Sequence, residues 1–181
     1  MKKEQILHGK ACLEVLLGDI VKQADMDVIV NAANAFLRIG GGVAGAIHRA
    51  AGPELEKEAS KQAPIKPGEA VITAAFDLPN KHIIHVLGPV YERDIPHDIL
   101  LARCYTNALA LCEEHQLKGV AFPAISTGAF GYPVEEAAPI AIETLYNAMT
   151  DLNSVKTIRL VCFAERDYEE HVKVLKSLST P

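Results

Sequence analysis

Two loops rich in small residues carry most of the chemistry that this sequence offers. The run Gly40-Gly41-Gly42 stands immediately before a segment of helical composition that begins at Val43. Unhindered backbone N–H groups leading into a helix N-terminus form an anion nest, suited to a phosphate or pyrophosphate. The stretch STGAFGYP, Ser126 to Pro133, is a second such loop between a predicted strand and a predicted helix. Two loops of this kind suggest a clamp on a diphosphate. The pair Asn31 and Asn34, directly after the apolar run Val28-Ile29-Val30, is the third feature to explain.

Other readings of these residues fit less well. Gly40, Gly42 and Gly45 spell G-x-G-x-x-G, but a dinucleotide fingerprint needs its first glycine directly after the strand. Here Asn31 to Ile39 intervene, so the match is read as accidental. No Gly-Lys-Ser/Thr follows, which excludes a P-loop. Ser126 lacks the G-x-S-x-G elbow of a serine nucleophile. His82 and His85 lie three apart on a predicted strand and point to opposite faces, so no shared metal is expected. His48, on a small apolar helix, reads as packed. Asp19 either caps a turn or accepts from a ligand amino group, and Phe130 and Phe163 are either core or faces for a ribose and a base.

The elements that must position these groups follow from periodicity and breakers. Strands are predicted at Gln5–Leu7, Ala11–Leu17, Val28–Val30, Ala70–Ala74, His82–Leu87, Gly119–Ala124 and Thr157–Phe163. Helices are predicted at Val43–Ala51, Pro53–Gln62, Asp98–His115, Pro133–Met149 and Asp167–Leu178. From His82 onward strand and helix alternate, which implies βαβ units and parallel strands with helices on both faces. Pro139 conflicts with its helix, and a kink or late start is expected there. Ligands of open α/β sheets sit beyond the strands' carboxyl ends. Asp19, Asn31 and Asn34, the segment from Ala124, and Phe163 all follow strands, so they converge on one crevice.

Composition sets the bounds. With 181 residues, 49% hydrophobic and 23% charged, the chain reads as one globular unit spanning residues 1–181. No apolar run approaches the roughly 20 residues that span a bilayer. The start lacks the apolar stretch of a secretory signal, so a cytoplasmic location is expected. A formal charge of −5 argues against a broad nucleic-acid surface. Four scattered cysteines, Cys12, Cys104, Cys112 and Cys162, read as reduced thiols.

Taken in order, GDI (Gly18–Ile20), VIVNAAN (Val28–Asn34), GGGVAGAIHRAAG (Gly40–Gly52), HVLGPVY (His85–Tyr91) and FPAISTGAFGYP (Phe122–Pro133) closely resemble the macrodomain family. The likeness covers essentially the whole chain. It implies an α/β fold, a three-layer α/β/α macrodomain with a mixed, mostly parallel central sheet. It also implies binding of ADP-ribose or of an ADP-ribosylated protein, with no cofactor and no metal.

Carried over by motif, the resemblance makes Asp19 the acid that accepts from the adenine amino group, with Ile20 beside the base. Asn34 holds the distal ribose and is the catalytic candidate. Gly40, Gly41, Gly42 and Val43 form the first phosphate loop, and Ser126, Thr127, Gly128, Ala129, Phe130 and Gly131 the second. Phe130 lies against the distal ribose and Phe163 beside adenine.

One departure matters: the bacterial deacetylase-like branch reads GGGVDGAIHRAAG, with an aspartate proposed to orient water, whereas this chain carries Ala44 there. The same Gly-Val-Ala-Gly resembles viral and some archaeal members, although Ile39 replaces the histidine that some viral members carry. The implied activity is hydrolysis of ADP-ribosyl esters on acidic side chains or of O-acetyl-ADP-ribose. The alternatives are a non-catalytic ADP-ribose reader and, more distantly, a nicotinamide-dependent oxidoreductase.

Overall fold

Val28-Ile29-Val30 and Ile83-Ile84 place branched apolar side chains at consecutive positions, which a strand sends to opposite faces. Such strands need cover on both sides. The computed structural model, which describes residues Met1–Ser179, supplies it. The strands are β1 (Lys3–His8), β2 (Ala11–Leu17), β3 (Val28–Ala32), β4 (Ala70–Ala74), β5 (His82–Val86), β6 (Gly119–Pro123) and β7 (Thr157–Cys162). The helices are α1 (Gly42–Ala51), α2 (Glu54–Ala59), α3 (His97–Glu114), α4 (Val134–Ala148) and α5 (Glu165–Leu178). The seven strands form one sheet in the order β1-β2-β7-β6-β3-β5-β4. Its five inner strands are parallel, and the edge strands β1 and β4 run antiparallel to their neighbours.

Alternate residues divide between the two faces. Val28, Val30, Ile84, Val120, Phe122, Ile158 and Leu160 join the core beneath α3, α4 and α5. Ile29, Ile83, Ala121 and Val161 join a second core with Ile47 and Ala51 of α1 and Leu55 of α2. The result is the expected three-layer α/β/α arrangement.

Predicted elements recur with shifts of a few residues, and two local details differ. The helix predicted at Pro53–Gln62 is α2 followed by a 3-10 turn at Ser60–Gln62, with Pro53 at its N-cap. Helix α4 does not start late: it begins at Val134 and runs through Pro139. The carbonyl that Pro139 leaves without a helical donor belongs to exposed Glu135 in the first turn, where solvent can reach it and the loss of the bond costs little.

Two features of the sheet bear on the site. β3 and β6 pair through Val28↔Val120 and Ile29↔Ala121, and the loops that follow their carboxyl ends stand on either side of a cleft. Past β2, a 3-10 turn at Ile20–Lys22 is held from beneath. Arg159 of β7 bonds Glu14 at 2.6 Å, Gln23 at 2.9 Å and Asp25 at 2.8 Å, and the Gln23 amide donates to the Asp19 carbonyl at 2.8 Å.

Candidate functional site

The cleft between the β3 and β6 ends has a volume of about 310 Å³. Asn34, Gly40, Gly41, Gly42 and Val43 line one wall, and Ser126, Gly128, Ala129 and Phe130 line the other. Ala32, Ala33, Ala44 and Ala124 complete the lining. These small side chains leave room for a ligand to approach the backbone. Helix α1 points its N-terminus at this space, and its first-turn N–H groups lack acceptors within the helix. Across the cleft, the N–H groups of Thr127 to Phe130 take no hydrogen-bond acceptor among the described residues. Both loops thus present donors and a partial positive charge.

Each loop is shaped by a close approach that excludes a side chain. A Cβ on Gly45 would overlap the Gly40 carbonyl oxygen and stand 2.9 Å from Arg49, so only glycine lets the first loop fold against α1. The third glycine of the G-x-G-x-x-G spelling therefore has a structural reason unrelated to a dinucleotide. A Cβ on Gly88, just past β5, would overlap the Ser126 hydroxyl and stand 2.6 Å from Ile125 Cγ2. Ser126 itself adopts φ 66, its hydroxyl is buried, and that oxygen has no hydrogen-bond partner among the described residues.

Asn34 is committed to its own loop. Its Nδ2 donates to the Arg38 carbonyl at 2.7 Å, and its Oδ1 accepts from the Arg38 N–H at 3.0 Å. One amide hydrogen and one acceptor position remain for a ligand. Between these residues Leu37 is fully buried in left-handed conformation, φ 56, in a cluster with Ala33, Ala59, Ile65 and Leu87, against which Phe130 packs.

Asn31 does different work from Asn34. It is buried, and its Nδ2 stands 3.1 Å from His85 Nδ1. His85 Nε2 is 3.0 Å from Thr73 Oγ1, whose hydrogen is directed to the Ala74 carbonyl at 2.9 Å. This assigns the ring: Nε2–H donates to Thr73, and the Nδ1 lone pair accepts from Asn31. Burial, with His48 close by, pushes the His85 pKa down to about 3, and burial also lowers that of His48. Alternation places Asn31 and His85 on the α1 side of the sheet, with Ile29 and Ile83. His82 has other partners, the Thr73 carbonyl at 3.2 Å and the His115 ring.

Asp19, Ile20, Thr127, Gly131 and Phe163 lie outside the cleft lining. Asp19 caps its turn, with Oδ1 accepting from the Val21 N–H at 3.1 Å, and Ile20 is buried. Phe163, next after β7, is 85% exposed. Thr127 donates to the Ala124 carbonyl at 3.2 Å, and Gly131, at φ 72, donates its N–H to the Gly128 carbonyl at 3.0 Å. Gly88 and Leu37 carry loop geometry that the sequence reading assigned to neither. The Gly-Pro at positions 88 and 89 was the available signal.

The Macro domain family model matches residues 30–141. The chain belongs to the macro domain family. It is 46% identical over 169 residues to an O-acetyl-ADP-ribose deacetylase of Klebsiella pneumoniae, covering 91% of this chain and 96% of that protein. Among solved structures, the Oceanobacillus iheyensis macrodomain with ADP superposes with a TM-score of 0.94 at 42% identity, covering 98% of this chain and 97% of that one. The Trypanosoma brucei macrodomain in complex with ADP-ribose gives 0.83 at 33% identity, with 90% of this chain and 68% of that chain covered. In this macrodomain, Ala44 is buried and lines the cleft as an apolar wall where a carboxylate was the alternative.

Proposed function

We propose that this macrodomain binds ADP-ribose in the cleft between its two small-residue loops and hydrolyses ADP-ribosyl esters on acidic side chains or O-acetyl-ADP-ribose. The observation that carries the reading is the pair of donor-bearing loops facing each other across the cleft, with Asn34 in one wall. The first loop and the α1 N-terminus take one phosphate, and the second loop takes the other. In this arrangement the free positions on the Asn34 amide hold the distal ribose, and Phe130 lies against that sugar. Asp19, Ile20 and Phe163, beyond the ends of β2 and β7, receive the adenine. Resemblance to a named deacetylase and to macrodomains holding ADP or ADP-ribose supports the assignment.

For the reaction, water adds to the ester carbonyl, the bond from that carbon to the ribose oxygen breaks, and ADP-ribose leaves with its hydroxyl restored beside the free acid. Ala44 supplies no base. The water is instead held by an oxygen of the bent diphosphate, so positioning and electrostatics supply most of the rate. The test is release of ADP-ribose from a glutamate-ADP-ribosylated protein and of acetate from O-acetyl-ADP-ribose, each beside Asn34→Ala. Ala44 also favours a second reading, a non-catalytic ADP-ribose reader. Tight binding without turnover of either substrate would establish that one.

A further inference from the structure

Leu37 turns the segment after Asn34 inside out. Its side chain is fully buried at φ 56, a left-handed conformation that a residue with a Cβ adopts only at a cost, so the surrounding cluster holds it there. Its neighbours are left outside. Phe36 is 58% exposed, Ile39 is 51% exposed, and the Arg38 guanidinium lies 5.9 Å from the Phe36 ring centroid. Arg38 forms no ion pair among the described residues. The adjacent acids of α2 are occupied otherwise: Glu54 pairs with Lys57, Glu58 with Lys61, and Glu56 accepts from the Ile39 N–H. A stacked, uncommitted cation with apolar flanks thus stands on the loop whose backbone Asn34 clasps from inside the cleft.

We propose that Phe36, Arg38 and Ile39 form a docking rim for an acidic polypeptide segment that flanks the ADP-ribosylated residue. This rests on the reading that the cleft holds ADP-ribose with its distal ribose at Asn34. The apolar pair covers aliphatic stems of the segment, and Arg38 meets its carboxylates. The substrate class is then an ADP-ribosylated protein with acidic neighbours rather than the free nucleotide.

The experiment measures dissociation constants of the full chain, Arg38→Glu and Phe36→Ala for three probes. These are free ADP-ribose and two peptides carrying ADP-ribose through a hydrolysis-resistant link, one flanked by Asp and Glu and the other by Lys. The parent is expected to prefer the acidic conjugate over the basic one by roughly two- to fivefold, the range of a solvent-exposed charge contact. Arg38→Glu reverses that preference, and Phe36→Ala weakens both conjugates, while free ADP-ribose binds all three proteins alike. Conjugate affinities indifferent to flanking charge, with ADP-ribose binding intact, would overturn this inference alone. No binding of free ADP-ribose by the parent would overturn the underlying reading and the rim together. Arg38→Gln, which removes the charge without reversing it, gives the intermediate preference and guards against a misfolded Arg38→Glu.

Discussion

Gly88 lies directly against Ser126, so close that a single added carbon on the glycine would occupy the place of the serine hydroxyl. The chain past β5 thus supports the second loop from behind. Gly88→Ala is expected to displace Ser126, to cost roughly 1–3 kcal/mol as an overpacked site does, and to weaken ADP-ribose binding at least tenfold. Thermal melting and calorimetry measure the two effects. Parent-like values in both would show that the loop repacks freely.

Gly45 and Gly41 separate fold from ligand space in the first loop. A Cβ on Gly41 meets nothing within 4 Å, whereas one on Gly45 overlaps the Gly40 carbonyl. Gly41→Ala is therefore expected to melt with the parent or slightly above it, since it lowers only the freedom of the unfolded chain. Gly45→Ala should melt several degrees lower. Equal melting temperatures for the two variants would refute the packing argument.

Asn34 shapes its loop as well as facing the cleft, so its removal has two consequences. Arg38 is exposed, and its freed backbone groups can bond water, which keeps the stability loss of Asn34→Ala below about 1 kcal/mol. Turnover is expected to fall more than affinity, the mark of an interaction made mainly in the transition state. Kinetics and calorimetry on one preparation decide it, and an equal loss in both would reduce Asn34 to ground-state binding.

Ala44 separates hydrolase from reader. Where the diphosphate holds the water, Ala44→Asp gives at most a modest gain, because an added carboxylate acts only if it reaches that water and withstands the nearby phosphate charge. An inert parent whose Ala44→Asp variant hydrolyses a glutamate ester would identify the natural protein as a reader.

His85 makes stability depend on acid. Its neutral ring accepts from Asn31 and donates to Thr73, so protonation at Nδ1 would set one N–H against another. Burial holds the folded pKa at about 3, against the ordinary histidine value near 6.5. The unfolded chain therefore binds the proton first: the stabilisation is fully present above pH 6.5 and is lost as pH falls toward 3, at up to about 1.4 kcal/mol per pH unit. Denaturant titrations between pH 7 and pH 4 should show this slope, and His85→Gln should reduce it while lowering stability at pH 7. An unchanged slope in the variant would assign acid sensitivity elsewhere, to buried His48 and His171, whose pKa values burial lowers in the same direction.

Most of the architecture was legible because apolar runs bounded by Gly, Pro and Asn mark strands wherever both faces are buried. Val28-Ile29-Val30 is the clearest case. The two loops were legible for the same reason, since small residues between a strand and a helix have few other uses. The chain Asn31–His85–Thr73 was not, because its members join only once β3, β5 and β4 lie side by side, and spacing says nothing about that order. Nor was the Asn34 clasp, which depends on Leu37 entering a conformation its residue type disfavours. The late start that Pro139 offered as one option did not occur, because local propensity ignores how accessible one carbonyl remains at the start of a helix.

The pairing of β2 with β7 sets an order in time. Among the seven strands, β2 belongs to the hairpin synthesised first, yet its parallel neighbour is the strand synthesised last, with Leu17 opposite Cys162. Until β7 arrives, one edge of that hairpin stays open, Arg159 is missing from beneath the Asp19 turn, and Phe163 has not been made. Pairings so distant along the chain form late and slowly. A nascent chain stalled after α4 would already hold both glycine loops and the cleft between them, but not the strand that braces the Asp19 turn, so that turn is the last of these parts to gain its support.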